Sequence, residues 1–233
     1  MEFLFDTANL EKIERYQSYY PISGVTSNPS ILKAEGTIDF FEHMRQVRDL
    51  IGLDKTLHVQ VIAEDYEGIL REAYALLHHI DGQVYIKIPT TREGLRAIRA
   101  LKGRGVHITA TAIYSRIQGF LAIAAGADYI APYDNRMENM DIASADTISA
   151  FRQIIDQAHS PTKILAASFK NIAQINEAIL AGAHAVTVQP ELLNEAFRMP
   201  SIQKAVDDFH ADWAQTQGEV AIDALPDVPR EIR

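Results

Sequence analysis

Lys87 is the one charged side chain in Val84-Tyr85-Ile86-Lys87-Ile88-Pro89, a short apolar run with β-branched residues that reads as a buried strand. Alternation sets Val84, Ile86 and Ile88 on one face and Tyr85, Lys87 and Pro89 on the other. A lone lysine in such a strand is costly unless it is paired, solvated or used. Desolvation favours the neutral amine and can lower a lysine pKa by ~3–5. The free amine is then a nucleophile toward carbonyls. The blander alternative is a strand-end lysine whose ammonium reaches water along its stem.

A Schiff-base reaction needs an amine, a proton shuttle and groups that hold the substrate. If other strands share the parity of Lys87 around a closed sheet, the polar residues turned inward are Asp6, Thr26, Asn28, Gln60, Thr109, Thr111, Tyr133, Ser168 and Gln189. Arg136 and Lys170 follow just beyond the sixth and seventh strands. Singly, each has an ordinary reading: a strand-end Thr or Ser caps the next helix, and a lone Tyr is core. As a set around one lysine they are harder to explain as packing. No Gly-x-Gly-x-x-Gly motif, phosphate-loop lysine or Gly-x-Ser-x-Gly elbow occurs. The eight histidines lack metal spacing. His78-His79 suits a helix end, and His58 and His107 fall near strand starts, on the stability face of a barrel.

The elements that must position these residues alternate along the chain. Strand candidates are 2–6, 24–28, 58–63, 84–89, 107–113, 129–133, 163–168 and 185–189. Helix-period segments lie between most of them. Leu95, Ile98 and Leu101 make one apolar stripe, and Ile172, Ile175, Ile179 and Leu180 another. Ala125-Gly126-Ala127-Asp128 and Ala181-Gly182-Ala183-His184 repeat one junction, in which glycine ends a helix just before a strand. Alternating βα units imply a parallel sheet, and eight strands imply a closed (β/α)8 barrel rather than an open doubly wound sheet. Active sites of such barrels occupy the C-terminal face. The expected organisation is one barrel domain over 1–217, whose last helix spans 201–217 with Ile202, Val206, Phe209 and Trp213 on one side. An irregular tail, 218–233, carries Pro226 and Pro229.

Composition narrows the function. A net charge of −9 argues against a nucleic-acid or anionic-membrane surface. With no cysteine, disulfides, thiolate catalysis and Cys-ligated metals are excluded. No signal peptide and no apolar run of ~18–20 residues is visible, so a soluble cytoplasmic protein is the simplest reading. A barrel lysine could also hold pyridoxal phosphate, which would colour the protein yellow, or sit in a non-catalytic binding pocket.

The chain carries, in order, Phe5-Asp6-Thr7-Ala8-Asn9, Gly24-Val25-Thr26-Ser27-Asn28-Pro29-Ser30, Lys87-Ile88-Pro89-Thr90 with Glu93-Gly94, and Thr111-Ala112-Ile113-Tyr114. Ala131-Pro132-Tyr133 with Asn135-Arg136, and Ala166-Ala167-Ser168-Phe169-Lys170, follow. Over about residues 1–217 these motifs are similar to those of the fructose-6-phosphate aldolase group of the transaldolase family, in which Thr26 and Gln60 lie in the site and a sugar-phosphate binder without turnover is the non-catalytic alternative. The resemblance implies a class I, cofactor-free and metal-free (β/α)8 lyase acting on sugar phosphates and dihydroxyacetone. It also implies a homo-oligomer, a pentamer or ring-like decamer. Lys87 matches the Schiff-base lysine. Asp6 and Asn28 match residues that position donor hydroxyls and assist proton movement, with Thr26 beside them as a further substrate contact. Gln60, Thr111 and Tyr133 match a trio holding a catalytic water. Ser168 and Arg136 match contacts to the acceptor phosphate. Transaldolases proper carry a glutamate where this chain has Gln60 and a phenylalanine where it has Tyr133. Gln60 cannot accept a proton as a carboxylate does, whereas the Tyr133 hydroxyl can supply one. Both choices point toward an aldolase that releases free dihydroxyacetone, with transaldolase the nearest alternative. The chain departs from the family at Asp134, where an apolar residue is common, and in 137–144, which lacks the expected glycines. The spacing lets Asp134 or Glu138 pair with Arg136, which would weaken its hold on phosphate.

Overall fold

A computed structural model describes residues 1–225 of the chain. The order begins β1 (Glu2–Asp6), α1 (Leu10–Gln17), β2 (Gly24–Thr26), α2 (Pro29–Ala34), α3 (Phe40–Ile51), β3 (Thr56–Gln60) and α4 (Tyr66–His79). It continues β4 (Tyr85–Pro89), α5 (Arg92–Lys102), β5 (Ile108–Ile113), α6 (Arg116–Ala124), β6 (Tyr129–Pro132), α7 (Asp134–Glu138) and α8 (Ser144–Gln157). Last come β7 (Lys163–Ala166), α9 (Ile172–Leu180), β8 (Ala185–Val188), α10 (Pro190–Glu195) and α11 (Pro200–Gln217). The strands are parallel, pair in chain order and close β8 onto β1, so the molecule is a (β/α)8 barrel.

By compactness the chain divides into Met1–Leu193, which holds the barrel, and Asn194–Arg233. In the second unit no residue of α11 is buried. The segment after it, expected to be irregular, forms one 3-10 turn at Ile222–Ala224, and Trp213 Nε1 donates to the Val220 carbonyl at 2.8 Å. Pro226 and Pro229 lie outside the described residues.

Side-chain alternation makes two cores. Outward strand residues such as Val59, Ile86, Ile88, Ile130 and Val186 are buried against helix residues including Ile69, Ile98, Phe151 and Ile175. Each such side chain, fully buried, contributes ~1.5–3 kcal/mol. The stripe on α9 is narrower than its sequence suggests. Ile175 is buried, but Leu180 is 86% exposed, because eight residues of helix advance it ~80° past Ile172. Inside the barrel Leu4, Tyr129, Leu165 and Ala185 pack together with Tyr85. His58, fully buried in this interior, meets Thr109 Oγ1 at 2.7 Å and Thr56 Oγ1 at 2.9 Å and stacks on Tyr85. Burial, then the charges of Lys87 and Arg48, hold its imidazole well below the ordinary value, so the ring is neutral filling.

Strand ends are shorter than the apolar runs imply, because capping residues take over. β2 stops at Thr26, since Pro29 opens α2 and the Asn28 side chain accepts from Ile31 N at 3.0 Å. Asn9, Asp65, Thr91 and Asn171 cap α1, α4, α5 and α9 in the same way. At the repeated junctions Gly126 and Gly182 take φ of 84° and 105°, the left-handed conformation expected there.

Candidate active site

Lys87 points into the barrel and is 3% exposed. Its Nζ donates to the Ser27 carbonyl at 3.3 Å. Among the described residues no carboxylate forms an ion pair with it. It lines a cavity of about 530 Å³ together with Asp6, Asn28, Tyr133, Arg136 and Ser168. The amine is therefore buried and faces the cavity rather than bulk solvent.

Each wall residue arrives by its own local route. Asp6 ends β1, and Thr26, its register partner on β2, donates to Asp6 Oδ1 at 2.7 Å. Burial pushes the Asp6 carboxyl above its ordinary value, while Lys87, the Thr26 hydroxyl and Arg136 pull it down. Tyr133 lies one residue past β6, tied to the sheet by a single bridge to Ala167. Its hydroxyl accepts from Thr111 Oγ1 at 3.1 Å. Thr111 stands next to Ala112, whose φ of 56° marks the register shift between β5 and β6. Ser168 reaches the cavity by a different means from the alternation expected of it. β7 ends at Ala166, Ala167 takes the inward position, and Ser168 turns in through a φ of 70°. That conformation costs a non-glycine residue ~1–3 kcal/mol.

Three expected site residues do not line this cavity. Thr26 is fully buried, and its hydroxyl is held between Asp6 Oδ1 and Thr187 Oγ1, so it backs Asp6 instead of meeting a ligand. Thr111 is likewise fully buried behind Tyr133. Gln60 is the register partner of Lys87 but lines a neighbouring cleft with Pro29, Pro89, Thr91 and Arg92. Its Oε1 is buried with no partner among the described residues. A buried acceptor of this kind is a site for a water.

The expected pairing of Arg136 with Asp134 or Glu138 does not occur. Glu138 instead accepts from Ser144 Oγ at 3.2 Å and Gln174 Nε2 at 2.8 Å. Asp134 turns inward, 1% exposed, with both carboxyl oxygens unpartnered among the described residues. Arg136 extends the other way, donates to Tyr114 OH at 3.1 Å and lies 4.8 Å from the Tyr133 ring centroid. Its charge stays available to the cavity.

The family model described as transaldolase/fructose-6-phosphate aldolase matches residues 3–226. The chain belongs to the transaldolase/fructose-6-phosphate aldolase family. It is an enzyme of aldolase or transaldolase type. A relative from Streptococcus pneumoniae (strain ATCC 700669 / Spain 23F-1), named probable fructose-6-phosphate aldolase, is 55% identical over 222 residues, covering 95% of this chain and all of the relative. A solved cube-shaped, highly porous protein cage, designed by fusing symmetric oligomeric domains, is 12% identical with a TM-score of 0.56. It covers 91% of this chain and 77% of the cage chain, and shows a shared fold alone.

In this aldolase/transaldolase-type enzyme the cavity also has walls that sequence reasoning did not assign. Lys12 and Glu191 form an ion pair at 2.5 Å on its rim, joining α1 to α10. Lys170 and Gln189, both placed in the converging set from their strand-end positions, line it too. The Lys12–Glu191 pair, between residues far apart in the chain, leaves no local signal. Among the described residues no helix is long and apolar enough to cross a membrane.

Proposed function

We propose that this chain is a cytoplasmic class I aldolase that reversibly cleaves fructose 6-phosphate, or a similar ketose phosphate, to dihydroxyacetone and glyceraldehyde 3-phosphate. The observation that carries the reading is the buried Lys87 amine, with no carboxylate ion pair, sharing one cavity with a carboxyl, a phenol and an arginine that has no carboxylate partner among the described residues. Lys87 attacks the ketose C2 as the free amine. The carbinolamine loses water to give an iminium. Asn28, with its Oδ1 held by the α2 cap, offers its Nδ2 to donor hydroxyls beside Asp6. Removal of the C4 hydroxyl proton, through a water at the Tyr133 hydroxyl, which Thr111 holds from behind, breaks the C3–C4 bond and sends its electron pair into the iminium. The aldehyde leaves and an enamine remains. Protonation at C3 with Tyr133 near the proton path, then addition of water, releases dihydroxyacetone and restores the amine. Arg136 and Ser168 hold the phosphate. The scheme draws on no metal or organic cofactor.

The same scaffold would act as a transaldolase if the enamine waited for an aldose. Incubation with fructose 6-phosphate and no erythrose 4-phosphate separates the two. Free dihydroxyacetone is the expected product, and Lys87→Arg abolishes it. Product only when the aldose is added would make the enzyme a transaldolase. We also propose that the chain self-associates. Ile202, Val206 and Phe209 on α11 are 42%, 48% and 71% exposed, an apolar row that water alone covers poorly. Light scattering at the mass of one chain would rule that out.

A further inference from the structure

Arg136 has no carboxylate partner among the described residues, yet it is not loose. Two aromatic side chains restrain it. Tyr114 OH accepts from its Nη1 at 3.1 Å, and its guanidinium lies over the Tyr133 ring at 4.8 Å. The two rings meet edge to face, 5.5 Å apart at 76°. Tyr114 itself is fixed at the end of β5. Its N–H donates to Gln118 Oε1 at 3.0 Å, and Gln118 Nε2 donates to the Thr90 carbonyl at 3.1 Å. Tyr114 does not line the cavity, so anything it does for a ligand passes through another residue.

We propose that Tyr114 is a positioning residue that sets selectivity for phosphorylated substrates by holding Arg136 over the Tyr133 ring. The inference rests on the aldolase reading above. A phenol suits this task in a way a carboxylate does not. A carboxylate would fix the guanidinium and also neutralise it. The hydroxyl fixes it while leaving its full charge and its remaining N–H donors for an anion. The same helix carries two acids that could have cancelled that charge. Glu138 is engaged by Ser144 and Gln174, and Asp134 is turned inward. An exposed arginine held in one arrangement loses less rotamer freedom when the phosphate arrives.

Tyr114→Phe keeps the ring and removes the acceptor. The KM for fructose 6-phosphate is expected to rise about three- to tenfold with kcat little changed. Half-saturation for unphosphorylated dihydroxyacetone, read from the borohydride-trapped Lys87 adduct, should not move. In an Arg136→Gln background the Tyr114→Phe effect should vanish. An equal rise for both ligands, no rise for either, or an undiminished effect without Arg136 would overturn the proposal. A wild-type protein that forms no dihydroxyacetone adduct would instead remove the aldolase reading on which it stands.

Discussion

Replacing Asp134 by Asn should stabilise the protein, and more so as pH rises. Asp134 is 1% exposed and both its carboxyl oxygens lack partners among the described residues. Burial lifts its carboxyl from 3.8 to about 6; the Ser144 hydroxyl, whose hydrogen bond goes to Glu138, opposes the rise without bonding either carboxyl oxygen, and Glu138 and Glu177 add to it. The folded state thus binds this proton more tightly than the unfolded chain does. Stability is highest when the group is protonated in both states, falls between the two values, and stays low above the higher one. At ~1.36 kcal/mol per tenfold, the full loss at pH 7.5 is at most ~3 kcal/mol and about a third of that at pH 4.5. Local relaxation and water entry reduce it, so the expected gain for Asp134→Asn at pH 7.5 is ~1–3 kcal/mol, equivalent to ~2–10 °C in Tm at this chain length. Denaturant unfolding of both proteins at pH 4.5, 6 and 7.5 is the assay. A variant no more stable than wild type at pH 7.5, or one whose gain is the same at pH 4.5, would refute the argument that this carboxyl is buried unpaired.

Gly119→Ala should destabilise, because a Cβ there would lie 2.1 Å from the ring of fully buried Phe151. Overpacking of this kind costs ~1–3 kcal/mol, and thermal unfolding should show a fall in Tm; an unchanged Tm would mean that α6 and α8 can part freely. Tyr133→Phe removes the proposed proton donor and the acceptor for Thr111 Oγ1. Release of free dihydroxyacetone should drop ~10²-fold or more while transfer to an added aldose survives, as product analysis with and without acceptor would show. Equal losses in both reactions would separate Tyr133 from the protonation step.

The barrel was legible because short apolar runs alternate with helix-period segments along the chain, and the junctions at Gly126 and Gly182 repeat one helix-to-strand signal. Lys87, Asp6 and Tyr133 were legible because a polar side chain at an inward strand-end position is conspicuous. What escaped was non-local. Parity alone put Thr26 and Gln60 beside Lys87, but the Thr26 hydroxyl is taken by Asp6 and Thr187, and Gln60 lines another cleft. Ser168 reaches the cavity by a left-handed turn that period-2 reasoning does not contain. Their flanking positions in the sequence suggested that Asp134 or Glu138 would pair with Arg136. The partners that prevent it, Ser144 and Gln174, come from elements that are adjacent only in the fold.

The central claim is that the buried Lys87 amine attacks a ketone carbonyl. Incubation with dihydroxyacetone and sodium borohydride, followed by peptide mass spectrometry, tests it most directly. A reduced covalent adduct is expected on the peptide holding Lys87 and is absent from Lys87→Arg. An unmodified Lys87, or an adduct only on surface lysines, would contradict it.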